Sequence, residues 1–256
     1  MRPSREPPEH LVSRTGGSMD EGYGHLSALR EIGRLEPGER VLDIGCGVGK
    51  TAIPLTGYLS SQGSYEGLDL DPASIQWCME HIARTRSNFG FTHMDIYNGA
   101  YNAEGSIQPE HVTLPYGDDQ FDVACLFSVF THLLPDGFEN YCAELSRVLR
   151  GKSGRLVATF FLLTDENRAA LESAVADDRY VGGGSAYSVL ARNFGHYSLG
   201  DDEAPEGLVA YREEYVRGVL RRNEFEIEEP IRYSPWIEQL LGRGTRPQDT
   251  VVAHRR

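Results

Sequence analysis

Val41-Leu42-Asp43-Ile44-Gly45-Cys46-Gly47-Val48-Gly49-Lys50 decides the fold of this chain: an apolar strand carrying one acid runs into three glycines at alternate positions. β-Branched and leucine residues ending in a glycine turn read as a buried strand that delivers its backbone to a ligand at the carboxyl edge of a sheet. The glycine spacing separates the loops that begin this way. A phosphate-cradling loop of the form G-x-x-x-x-G-K-[ST] would end on Gly49-Lys50-Thr51, but it requires its first glycine where Ile44 stands. A dinucleotide fingerprint G-x-G-x-x-G starting at Gly45 requires its last glycine where Lys50 stands. What remains is Asp43-x-Gly45-x-Gly47-x-Gly49. Its bland reading is an ordinary strand-to-helix turn, because glycine is the default wherever φ is positive.

Outward from this stretch, strand and helix patterns alternate, which predicts an α/β domain with a doubly wound, mostly parallel sheet covered on both faces. Strands are expected at 40–44, 64–69, 89–94, 121–127 and 155–163, and again at 225–233 and 249–253. Helices are expected at 49–59, after the Asp71-Pro72 cap, and at 136–150, 164–175 and 211–222. In the helix after Pro72, Ile75, Cys78, Met79 and Ile82 fall at i, i+3, i+4 and i+7, which predicts one buried face with Trp77 pointing away. Residues 1–20 read as a flexible segment, and 21–256 as a single domain. Residues 164–210 interrupt the rhythm as an insertion, rich in Gly, Asp, Ser and Tyr over 176–210, and read as a substrate lid hinged near Gly182 to Gly184.

With 256 residues and 40% hydrophobic content the chain can bury a substantial core. No window approaches the ~18 apolar residues of a membrane span, and the first twenty residues lack the apolar run of a signal peptide. The four cysteines, Cys46, Cys78, Cys125 and Cys142, form no C-x-x-C pair, which predicts reduced thiols in a cytoplasmic protein. A net charge of −13 without a basic cluster argues against nucleic acid and for a small, uncharged or cationic substrate. The expected assembly is a monomer or homodimer.

The glycine pattern, together with Phe121-Asp122-Val123, the run from Ser128 to Leu133 and the run from Glu144 to Leu149, resembles the class I S-adenosylmethionine (SAM) dependent methyltransferases over about residues 20–163. The resemblance implies seven strands with an antiparallel C-terminal hairpin strand, SAM as cofactor and S-adenosylhomocysteine as product. It places Gly45, Cys46, Gly47 and Gly49 against the methionine and ribose portions of SAM. Asp43 would favour the ligand's cationic groups through charge, with a ligand cation or amide as its partner. Asp69, ending the second strand, would accept hydrogen bonds from both ribose hydroxyls, with Leu70 packing on adenine. The competing Asp71 is explained as a helix cap. Asp95, beside Ile96, would accept from the adenine amino group, and Phe127 and Ser128 would line the methionine end. Gly151-Lys152-Ser153-Gly154 stands where many relatives have a Pro-Gly-Gly turn.

Methyl transfer by in-line displacement needs no enzyme nucleophile, only a positioned acceptor. An acceptor hydroxyl must lose a proton, and His132, just past the fourth strand, is the candidate base; a histidine merely fixing its loop is the alternative. Tyr23, His25, Tyr97, Tyr101, Tyr187, His196, Tyr197 and Trp236 are candidate substrate contacts, and Asn98 and Asn102 add amides among them. No Asn/Asp-Pro-Pro-aromatic, Pro-Cys or paired-glutamate signature points to DNA amines, cytosine C5 or protein arginine. Phe127 to Thr131 offers no acid, which disfavours Mg²⁺, and no metal site is expected. The expected activity is O-methylation of a polar small molecule such as a sugar. Its rivals are N-methylation of a small amine and a non-catalytic SAM-binding sensor or partner subunit.

Overall fold

The computed structural model describes residues 6–176, 192–236 and 248–256. Two helices lead in, α1 (Glu9–Arg14) and α2 (Glu21–Glu31). Then follow β1 (Arg40–Ile44), α3 (Ala52–Leu55), β2 (Ser64–Asp69), α4 (Pro72–His81), β3 (Phe89–His93) and β4 (Val123–Leu126). After α5 (Pro135–Val148) come β5 (Arg155–Phe160), β6 (Leu162–Leu163), α6 (Asp165–Ala176), β7 (Tyr197–Leu199) and β8 (Val209–Arg212). α7 (Glu213–Arg222), β9 (Phe225–Ile227) and β10 (Asp249–Arg255) close the chain.

Seven strands form one sheet in the order β3-β2-β1-β4-β5-β10-β9. β1 to β5 pair in parallel, and β10 runs antiparallel to both β5 and β9. This is the doubly wound sheet with an antiparallel C-terminal hairpin that the sequence implies. The order reverses at β1, whose neighbours are β2 and β4, so a crevice opens beyond the carboxyl ends of these strands. Alternation along β1 sends Leu42 and Ile44 to one face, with Phe138, Tyr141 and Leu145 of α5 and Val216, Val219 and Leu220 of α7. Val41 goes to the other face, under Leu29 of α2, Leu55 of α3 and Cys78 of α4. Burial on both faces explains why these strands read as continuous apolar runs. A second sheet, β6-β8-β7, carries the described part of the 164–210 insertion.

Several local expectations change for identifiable reasons. The helix expected over 49–59 shrinks to α3: Pro54 has no N–H to reach the Lys50 carbonyl, which leaves the preceding residues as turn, and residues 56–58 leave α3 as turn. The strand expected over 155–163 divides: the chain leaves the large sheet at Phe161, and Leu162 and Leu163 pair with Tyr211 and Arg212 of β8. Those two residues are therefore strand, and α7 starts at Glu213 with Glu213 and Glu214 in its first turn and Arg221 and Arg222 in its last, matching the helix dipole. The strand expected over 225–233 ends at Ile227, with only an isolated bridge from Arg232 to Thr250 beyond it. In α4 the predicted face holds at Ile75, Cys78 and Ile82, all buried, but its edge is exchanged: Met79 is 53% exposed, while Trp77 is buried and stacks on His81 at 4.7 Å. Residues 9–14 of the segment expected to be flexible form α1, whose Leu11 is buried.

Candidate functional site

The chain leaves β1 through Gly45 (φ 77°) and Gly47 (φ 52°). A Cβ on Gly45 would come within 2.5 Å of Val129 Cγ2, and one on Gly47 within 2.9 Å of Thr15 Cγ2. Conformation and space both require glycine here. The Gly45 and Cys46 N–H groups donate to the Leu68 carbonyl at 2.8 and 3.1 Å, pinning the turn to the end of β2. The Asp69 carboxylate braces it further, accepting from Gly47 N–H (2.7 Å) and Asp71 N–H (2.8 Å) on different oxygens. Burial pushes the Asp69 carboxyl above its usual range, and these backbone donors pull it back. Asp71 caps α4 as expected, accepting from Ser74 N–H at 3.0 Å, and its other oxygen meets Arg14 at 2.8 Å.

Beyond this turn lies an open cleft of about 930 Å³, a volume that includes space open to solvent. On the β2 side its lining includes Gly45, Gly47, Asp69, Leu70, Asp71 and Ile96, with Arg14 and Thr15 from the N-terminal segment. On the β4 side it includes Tyr97, Asn98, Tyr101, Phe127, Ser128, Val129, His132, Leu133 and Tyr141. Ser128 holds a left-handed conformation (φ 59°) at the end of β4, where its N–H donates to Thr159 Oγ1 at 2.8 Å and its hydroxyl to Gln248 at 3.1 Å.

His132 sits in a 3₁₀ turn, Phe130–His132, after β4. Its Nδ1 lies 2.8 Å from the Glu206 carbonyl oxygen, which only accepts, so a neutral ring carries its proton on Nδ1 and turns Nε2 into an acceptor. Nε2 faces the Tyr101 hydroxyl at 3.3 Å. Glu206 belongs to the 3₁₀ turn Pro205–Gly207 of the insertion, so that segment reaches the site through a backbone carbonyl.

Other sequence-predicted residues stand elsewhere. Asp43 does not line the cleft. Strand alternation turns it to the Val41 face, where it is 1% exposed and accepts from the Tyr65 hydroxyl at 2.6 Å, so its partner is a phenol of the core rather than a ligand cation. Cys46 is buried beneath the turn, and Gly49 (φ 77°) packs on α4, where a Cβ would meet Ile82 at 2.7 Å. The Asp95 carboxylate points into its own loop, accepting from Asn102 Nδ2 and from the Ser106 hydroxyl and N–H, which hold it below the usual carboxylate range. His25 lies behind Phe127, stacked on it at 4.0 Å, with Nδ1 3.0 Å from Thr51 Oγ1; burial and the Lys50 charge lower its pKa to about 4. Tyr23 is 49% exposed on α2. His196 stacks on Tyr215, Tyr197 on Phe194, and Trp236 is buried against Phe161, all three in the packing of the second sheet and its surroundings. Tyr187 and Gly182 to Gly184 lie outside the described residues.

Sequence reading missed Arg14, Thr15 and Tyr141 as lining residues. Tyr141 follows the buried stripe of α5 and carries no separate signal, and Arg14 and Thr15 reach the cleft only through the path of the chain after α1. Lys50 anchors that path, donating to the Gly16 carbonyl and lying 3.4 Å from Glu21. Among the described residues, no group of three or more His, Cys, Asp or Glu side chains is placed to hold a metal ion, and no helix is long and apolar enough to cross a membrane.

Asp43 has a consequence for stability. Burial raises its carboxyl from 3.8 to about 7, against the opposing Tyr65 hydrogen bond. Below the ordinary carboxylate pKa both folded and unfolded chains are protonated. As pH rises toward 7 the unfolded chain releases the proton first, so the native state loses stability over that window. In urea denaturation, the stability of Asp43→Asn relative to the parent should rise between about pH 4 and 7 and level off above. A difference independent of pH would show that Asp43 does not titrate in this way.

Comparison with known proteins agrees with this geometry. A family profile described as "Methyltransferase domain" matches residues 41–152. Residues 41–152 thus carry a methyltransferase domain of the class I SAM-dependent kind. It is 28% identical over 132 residues to the O-methyltransferase cnsE of Penicillium expansum, an alignment covering 50% of this chain and 42% of that one. It spans less than half the length of the curated relatives it matches. In fold it resembles a SAM-dependent methyltransferase of Methanosarcina mazei (TM-score 0.56, 19% identity, 87% of this chain and 95% of that chain). It also resembles a geranyl diphosphate methyltransferase solved with GPP and sinefungin (TM-score 0.57, 12% identity, 92% and 79%).

Proposed function

We propose that this chain transfers the methyl group of SAM to a hydroxyl oxygen of a polar small molecule, with His132 taking the hydroxyl's proton. The observation that carries the reading is a single cleft bounded by the glycine turn and Asp69 on one side and by the oriented His132 on the other. The residues of the first side fit SAM. Gly45 leaves backbone exposed to the cleft, and Gly47 lines it from beneath Thr15, each where a Cβ has no room. Each Asp69 oxygen, already taking one N–H, retains a lone pair for a ribose hydroxyl. Leu70 and Ile96 supply apolar surfaces for adenine, and Phe127 and Ser128 border the methionine end. When bound, SAM supplies an electrophilic methyl on a sulfonium.

The residues of the β4 side then do two things. Tyr97, Asn98 and Tyr101 present rings and an amide that suit a polar, uncharged acceptor, and among the described residues no lysine or arginine lines this side. His132 Nε2 accepts the proton as the acceptor oxygen bonds to the methyl carbon, while the carbon–sulfur electrons return to sulfur. The test is incubation of the purified protein with methyl-labelled SAM and a metabolite extract. The expected product carries the label on an oxygen of a small polar molecule. Label on nitrogen or carbon would overturn the hydroxyl assignment, and SAM binding without any labelled product would support a sensor.

A further inference from the structure

We propose that Asn98 is the positioning residue that sets His132 as an Nε2 base, by tying the loop after β3 to the backbone of the histidine itself. Asn98 is 4% exposed and its amide is engaged at both ends. Its Oδ1 accepts from the Ala100 N–H at 3.0 Å and the Tyr101 N–H at 3.2 Å, while its Nδ2 donates to the His132 carbonyl at 2.8 Å. The amide orientation is forced, since two donors face the oxygen and a pure acceptor faces the nitrogen. Main-chain bonds with Asn102 (3.1 and 2.7 Å) close the same turn. One side chain therefore shapes the turn that presents Tyr101 and clamps the turn that presents His132.

The clamp matters because the histidine is held at ring and backbone alike. The ring is held at Nδ1 by the Glu206 carbonyl, and its own carbonyl by Asn98, while its N–H donates to the Val129 carbonyl at 2.9 Å and the Tyr211 hydroxyl holds the Leu133 carbonyl at 2.6 Å. Without the Asn98 bond the His132 carbonyl loses that donor, the end of the 3₁₀ turn shifts and the Nδ1–H contact to Glu206 lengthens. The ring then samples both neutral tautomers, and Nε2 no longer holds its place 3.3 Å from the Tyr101 hydroxyl. The catalytic half of this inference rests on the reading of His132 as the base; the tautomer half does not.

Asn98→Asp is the diagnostic change. A carboxylate keeps the acceptor that forms the Ala100–Tyr101 turn but sets oxygen against the His132 carbonyl oxygen, so the turn survives and the clamp is lost. In the protein without added ligand, long-range ¹H–¹⁵N spectra of the imidazoles should show His132 as the Nδ1–H tautomer. In Asn98→Asp, and in Asn98→Ser should the first variant fold poorly, that signature should shift toward a mixture or toward Nε2–H. SAM affinity by calorimetry should stay within a few-fold of the parent, while turnover falls by up to about 10²-fold with KM for SAM little changed. A parent His132 that is not Nδ1–H, or variants with unaltered His132 nitrogen signals, would overturn the proposal. If the signals shift as described but His132→Ala leaves turnover intact, Asn98 still positions the histidine and the base assignment fails alone.

Discussion

His132→Ala is expected to lower turnover at saturating SAM and acceptor by about 10²–10⁴-fold, the usual contribution of a positioned general base. The effect should fall on kcat. The ring is placed by β4 and the insertion rather than by the glycine turn, so SAM affinity, measured by calorimetry, should change little. Nδ1 spends its proton on the Glu206 carbonyl, which leaves Nε2 as the only ring atom that can accept from an acceptor hydroxyl. Loss of the Nδ1 hydrogen bond should cost only about 1 kcal/mol of stability, so the variant should remain folded and the comparison interpretable. An amine acceptor needs little base catalysis, so an unimpaired variant would return His132 to fixing its loop.

How far the sequence anticipates this site depends on whether each feature is local. The glycine turn, the Asp71-Pro72 cap and the strands β1 and β2 are local: each is set by a few consecutive residues, and the structure has them at the predicted positions. Thr164 caps α6 by exchanging hydrogen bonds with Asn167, and the predicted start of that helix differs by one residue. One edge of the buried face of α4 was not legible. Apolar residues at 75, 77, 78 and 79, with Ile82 just past the helix end, spread over an arc that includes both Trp77 and Met79, so periodicity alone cannot choose between them. The partner surface chooses, burying Trp77 with the cluster of β1, β2 and α3.

Side-chain direction was the second hidden quantity. Asp43 on β1 and Asp95 just past the end of β3 stand next to the cleft, but their carboxylates are turned away by partners remote in sequence or in an irregular loop. Tyr65 draws Asp43 inward across β2, and Ser106 with Asn102 draws Asp95 into the loop. The third hidden quantity is the backbone: the Glu206 carbonyl that fixes the His132 tautomer belongs to no side-chain pattern, and its approach depends on the whole insertion. Gly67 marks the same limit. Its missing Cβ reads as a strand weakness, yet a Cβ there would lie 2.9 Å from both Cys46 Sγ and Phe91 and 3.0 Å from Tyr65, so the glycine makes room for the rings that surround Asp43.

Asp69→Ala should weaken SAM binding by roughly 10²–10³-fold, through two losses of different kinds. The first is direct: a carboxylate accepting from ligand hydroxyls makes charge-assisted bonds, each worth about 1.5–3 kcal/mol. The second passes through the turn. Asp69 holds the Gly47 N–H at 2.7 Å and the Asp71 N–H at 2.8 Å, and alanine leaves both donors without that acceptor in a buried setting, at about 1–3 kcal/mol each. Gly47, at φ 52°, loses the partner of its own N–H, so although the Leu68 carbonyl still pins the two preceding residues and the Cys78 thiol still reaches the Gly47 carbonyl, the backbone that should receive the cofactor relaxes in part even in the free protein. Asp69→Asn separates the two losses. It keeps the side-chain shape and one acceptor oxygen, so one backbone donor stays paired while the charge is gone; its affinity should fall between those of the parent and the alanine variant. Calorimetric titration with SAM, alongside thermal denaturation to verify folding, measures both. Affinity within about threefold of the parent in a folded Asp69→Ala protein would remove Asp69 from the ligand site and leave it only as the brace of the glycine turn. That outcome would shift the ribose assignment to Asp71, whose carboxylate is already divided between Ser74 and Arg14.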